Sequence, residues 1–205
     1  RDVAATAEFS RDRILFTLKG GGLQGLSIDG GKLDFSRLDT DAEHANVEVV
    51  VRGPLRSALN ILDHPYLKYI SGMGLDPANA GGAAAARLVF RFPLRRTLKT
   101  SEVKAAAAAN LRNVTIADAV KGQALTAGTL TLKVDTTGLD ISGSAKLGPV
   151  PVKLKWFENF AGTARYRRRY EVTASLDEAQ RATLGLDLAP YLRGTVPVKL
   201  VLLED

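Results

Sequence analysis

The sequence contains no cysteine. A disulfide scaffold, thiolate zinc sites and thiol catalysis are excluded with it. No apolar run is long enough for a helix across a bilayer; the longest uncharged stretches are short and rich in Ala and Gly. Histidine occurs only as His44 and His64, neither near a Ser or carboxylate pattern that resembles a triad, and no G-x-S-x-G elbow is present. No helix-turn-helix, zinc-finger or RNA-recognition signature occurs, so no nucleic-acid partner is expected. The chain starts at Arg1 without an initiating Met or a secretory leader, and it is expected to be excised from something longer.

What is present is ordinary for a folded domain: 205 residues, 45% apolar and 24% charged. A chain of this length buries roughly 70% of the surface its unfolded form exposes. The net charge is +6. The surplus is local, because seven basic residues from Arg87 to Arg112 face only Glu102. A second cluster, Arg165, Arg167, Arg168 and Arg169, is interleaved with Tyr166 and Tyr170. Such clusters are expected on the solvated faces of strands, where Arg stems cover apolar neighbours. Arg95, Arg96, Arg167 and Arg168 are the candidates for contact with anionic lipid headgroups.

Hydrophobic residues alternate with polar ones in six stretches, the period of strands with one apolar face. They are centred on Phe16, Val49, Phe90, Leu132, Leu154 and Leu200. The pattern predicts a mainly β (α+β) fold: a curved antiparallel sheet forming a groove or open half-barrel, with short helical inserts between strands. Turns are expected at Asp29-Gly30-Gly31, Thr137-Gly138 and Gly148-Pro149, and the clearest hairpin runs from Thr129 to Ser144. Helices are expected from Pro54, at a first helical position that tolerates it, up to His64-Pro65, from Tyr66 to about Met73, and from a Ser175 or Asp177 cap to Leu184, stopped by Gly185. The alanine runs 83–86 and 105–109 favour helix by propensity. They lead into alternating segments, however, and are read as strands whose small side chains leave space on a bent sheet.

One domain, 1–205, is expected. The match of Gly74-Leu-Asp-Pro-Ala to Gly185-Leu-Asp-Leu-Ala makes a two-fold repeat, about 1–97 and 98–205, a candidate. Gly20 to Gly25 fits a dinucleotide fingerprint in letters, but strand, turn and strand follow where the mechanism needs a helix, and it is read as a flexible β-turn. Asp39, Asp41, Glu43 and His44 begin like a calcium loop, yet lack its Gly and terminal Glu, and are read as a solvated loop. Trp156 to Phe160 is the densest aromatic patch, a strand-end core or the wall of an apolar groove. No cofactor, metal site or catalytic residue is expected.

The run Val51-Arg-Gly-Pro-Leu-Arg-Ser-Ala-Leu-Asn-Ile-Leu-Asp-His-Pro-Tyr-Leu resembles the central domain of the YhdP-like proteins, in the AsmA/TamB superfamily of bacterial envelope proteins. Gly74-Leu-Asp-Pro, Arg91-Phe-Pro-Leu, Val152-Lys-Leu-Lys-Trp-Phe-Glu-Asn-Phe, Arg167-Arg-Arg-Tyr and the end from Leu184 to Val198 carry the same likeness. It covers roughly residues 47 to 205. The resemblance implies a non-enzymatic segment of a periplasmic, bridge-like phospholipid transport protein, tethered to the inner membrane by a part of the parent chain not present here. Its expected partners are phospholipid acyl chains and neighbouring segments of the same parent. The alternative is a structural or assembly module for outer-membrane biogenesis that binds no lipid. The groove lining expected from the alternating strands is Val47, Val49, Val51, Leu88, Phe90, Phe92, Leu130, Leu132, Val134, Val152, Leu154 and Trp156.

Overall fold

The computed structural model describes residues 3–63, 76–120, 122–162, 165–185 and 191–205. Eleven strands form one antiparallel sheet in which each strand pairs with its sequence neighbour. They are β1 Ala4–Phe9, β2 Arg13–Leu23, β3 Leu26–Ser36, β4 His44–Pro54, β5 Ala80–Pro93, β6 Lys104–Val120, β7 Gln123–Asp135, β8 Gly138–Leu147, β9 Val150–Asn159, β10 Arg168–Leu176 and β11 Val196–Glu204. The sheet is curved and does not close into a barrel. Its outer edges are β1 and β11. Bulges interrupt β3, β5, β6 and β7, and such insertions bend and twist a strand.

Both alanine runs are strands, as the flanking alternation predicts. Cross-strand pairing outweighs propensity here because each run is hydrogen-bonded on both sides. Pairing also runs unbroken from β5 to β6 across the boundary between the candidate repeats. In the predicted hairpin, Thr129 pairs with Ser144, and the turn falls at Thr136-Thr137.

Among the described residues, two short α-helices lie at one end of the sheet. Helix α1, Leu55–Leu62, follows β4, with Pro54 as its cap rather than its first residue. Helix α2, Glu178–Thr183, follows β10; Asp177 caps it in a reciprocal box with Gln180, and Ser175 belongs to the strand. Arg181 of α2 is buried and donates to the carbonyls of Leu176, Leu192 and Gly194, which ties the β10–β11 connection down. The helix expected from Tyr66 to Met73, His64 and most of both Gly-Leu-Asp segments lie outside the described residues.

Three local expectations are corrected. Asp29-Gly30-Gly31 is a bulge inside β3 and not a turn. Ile28 and Gly31 pair with Val51 and Val49, so β3 takes three residues to return to the same face. A side chain at Gly31 would run into the Glu48 carbonyl, and Gly30 adopts φ 158°. Gly20 to Gly22 lie within β2, and the tight turn is Gln24-Gly25. His44 is the first residue of β4 rather than part of the loop.

The β7–β8 turn is organised by Asp135. Its carboxylate accepts from the Thr137 hydroxyl (2.6 Å), the Thr137 N–H (2.7 Å) and the Gly138 N–H (3.2 Å). These bonds, the hydroxyl's first, hold its pKa below the usual carboxylate value. A depressed carboxylate contributes stability above its unfolded pKa of about 3.9, and loses it as pH falls through the lower folded value. Asp135→Ala is therefore expected to destabilise the protein at pH 7, by urea denaturation, and to match wild type once the pH lies below the folded pKa. A difference that persists unchanged in acid contradicts this role.

Candidate functional site: one apolar face across eleven strands

Directly opposed residues in an antiparallel ladder point to the same side. The register therefore decides which of the alternating residues share a face. Val51 pairs with Ala86, Ala86 with Ala109, Ala109 with Leu132, Leu132 with Ile141, and Ile141 with Trp156. The row continues through Tyr170 to Leu202. In the next rows Val49 pairs with Leu88, which reaches Val134 through Ala107, Val47 pairs with Phe90, and Leu130 and Leu154 lie on either side of Gly143. Phe92 pairs with Ala45, and Val152 with Ala145. All twelve lining residues expected from the sequence lie on one face. The row also extends through β3 and β2 (Phe35, Leu33, Phe16, Ile14) to Phe9 on β1.

The opposite face is mostly polar, with Val50, Val89, Phe157, Val201 and Leu203 among its apolar residues. It carries Glu48, Arg87, Arg91, Lys133, Asp140, Lys155, Glu171 and Lys199. Arg87 and Glu48 pair at 2.9 Å, and the Lys199 ammonium 3.2 Å from Glu171 holds that carboxyl below its usual value. Two open depressions of about 430 and 370 Å³ lie on this side, over Ala106, Ala108 and Asn110. Arg87 and Lys133 line both, together with Val89, Leu139 and Phe157 in the larger and Val50 and Leu132 in the smaller. The depressions exist because alanine stands between longer neighbours on β5 and β7.

Among the described residues, the apolar face is covered only toward the helical end. Leu55 of α1 packs with Ala84, Leu111, Val114 and Leu130. A second cluster joins Ala145, Val150, Val152 and Leu176. Of the twelve, Val51, Leu130 and Val152 are 8%, 8% and 7% exposed, and the other nine are only half-buried. Ala84, expected to leave room, is buried under α1; Ala86, Ala105, Ala107 and Ala109 keep their half-open positions. Rings cluster on the uncovered part. Phe9, Phe16 and Phe35 meet edge to face at 6.3 and 6.1 Å, and Trp156 lies 5.5 Å from Tyr170. Burial there raises the Tyr170 hydroxyl pKa. The aromatic patch is split: Trp156 joins the apolar face, while Phe157 points to the polar one.

The arginine candidates separate in the same way. Arg95 pairs with Glu102 at 3.0 Å, and Arg168 lies between Glu158 and Glu204 at 3.0 and 3.4 Å. Arg96 and Arg167 are exposed, with no ion-pair partner among the described residues. All four belong to the end of the sheet opposite the helices. Asp39, Asp41 and Glu43 do not converge; among the described residues no group of three His, Asp or Glu is placed to hold a metal. None of the described helices is long and apolar enough to cross a membrane.

The covered and uncovered parts of this face are expected to respond differently to truncation. Leu130→Ala should cost about 2–5 kcal/mol by urea denaturation, the range for a buried leucine. Phe90→Ala, though it removes a larger side chain, should cost less. The reverse order would mean that the face is packed shut. No family model, curated protein or solved structure matches this chain.

Proposed function

We propose that the chain is a non-enzymatic segment of a periplasmic, bridge-like phospholipid transport protein, with its apolar face shielding acyl chains between the inner and outer membranes. The observation that carries this reading is the shared face: nine large or small apolar lining residues stand there half-open, in continuous rows from strand to strand. Each methylene taken from water onto such a surface gains about 0.8 kcal/mol. A row of similar contacts lets a chain slide without a deep well at any point. No bond is made or broken, so no catalytic group is required.

On this reading the protein works in the periplasm of a Gram-negative bacterium, tethered to the inner membrane through another part of a longer chain. Neighbouring segments of that chain are partners, because β1 and β11 each present an edge with no partner strand among the described residues. Arg96 and Arg167, exposed and without an ion-pair partner among the described residues, support contact with the anionic phosphate of a headgroup.

These two edges also favour a second reading, a structural or assembly module that docks through them and binds no lipid. One experiment separates the two. Protein purified from bacteria without detergent is expected to release phospholipid in native mass spectrometry. A folded Phe90→Asp variant is expected to carry little or none. Lipid-free wild-type protein, or a Phe90→Asp variant with a full lipid load, would overturn the conduit.

A further inference from the structure

The regularly paired rows of the apolar face contain charged residues at one place only. Arg168 stands opposite Glu158 on one side and Glu204 on the other, so the three form a single row across β9, β10 and β11. The row lies one step beyond Trp156, Tyr170 and Leu202, at the end away from the helices. Two carboxylates and one guanidinium give it a net single negative charge. The backbone fixes it: Asn159 donates to the Arg167 carbonyl and Arg167 to the Glu204 carbonyl, both at 2.8 Å.

The trio is not internally satisfied. Glu158 is 3% exposed, and its Oε2 has no hydrogen-bond partner among the described residues. Arg168 Nε lies 3.0 Å from Glu158 Oε1, but as an ion pair without an aligned hydrogen bond. The Trp156 Nε1–H is also buried and unpartnered. A buried carboxylate oxygen without a donor costs stability, so the site calls for a donor from outside its own side chains. Access is from the Glu204 side, where that side chain is 53% exposed.

We propose that this row holds the headgroup of an ammonium-bearing zwitterionic phospholipid while its tails lie along the adjoining apolar face; the inference rests on the lipid-carrying reading above. The ammonium supplies N–H donors to Glu204 and, as the half-exposed Glu204 side chain swings aside, to the unpartnered Oε2 of Glu158, which is closed to solvent in this structure, beside the rings of Trp156 and Tyr170, which attract cations. The phosphate takes the outer N–H groups of Arg168 and the Trp156 N–H. An anionic headgroup without an amine satisfies the donors and leaves both carboxylates facing its charge.

The test loads lipid-stripped protein from vesicles of equal parts phosphatidylethanolamine and phosphatidylglycerol with identical acyl chains, and weighs the bound lipid by native mass spectrometry. Wild type is expected to favour the ethanolamine lipid about tenfold, the ratio given by one charge-assisted hydrogen bond. Glu204→Gln, at a half-exposed site that leaves the core untouched, is expected to lose that preference and keep the same total lipid; Glu158→Gln, checked for an unchanged melt, is expected to do likewise. Equal uptake of both lipids by wild type, or full preference in Glu204→Gln, overturns the headgroup site and leaves the conduit standing. Uptake of neither lipid overturns both.

Discussion

Side chains on a strand alternate between two faces, and a slip of one residue moves every apolar group to the wrong one. Over eleven strands that parity must survive ten pairings. Here it does: rows of opposed residues run from Phe9 on β1 to Leu202 on β11, with the apolar set always on the same side. The bulges do not break the pattern. At Asp29-Gly30 the extra residue absorbs a change from even to odd spacing, from Leu26 and Ile28 to Leu33 and Phe35. Everything inferred about the site depends on this conserved sidedness.

The two core clusters use only part of the face. They gather where α1 and α2 lie, and they anchor the sheet there through Val114, Val150 and Leu176, each nearly free of solvent. Away from the helices no described residue covers the same rows, and their residues pack sideways against one another. An arrangement of this kind divides the work. Folding is stabilised at the helical end, and the other end retains half-open apolar surface.

Much of this was readable before any coordinates. Alternation located the strands, and the alanine runs were assigned by their neighbours rather than by propensity. Counting by twos from Leu154 also reaches Glu158, and counting back from Val172 reaches Arg168, so sequence parity alone could have placed both on the apolar face. Instead Arg168 was grouped with its basic neighbours, because a charge run reads as solvated surface. The glycine bulge in β3 read as a turn, since a side chain's collision with the Glu48 carbonyl is visible only across the strand pair. The cover over Ala84 was equally hidden, because it depends on where α1 settles in three dimensions.

Sidedness of contact tests the central claim most directly. A photo-reactive amino acid placed at Phe90, Val49 or Leu132 faces the apolar side, and one at Arg91 or Lys133 faces the other. After irradiation in cells, mass spectrometry of the purified protein should find phospholipid attached at the first three positions and not at the last two. Equal attachment on both faces, or attachment confined to the charged one, would contradict an acyl chain lying along the shared apolar rows.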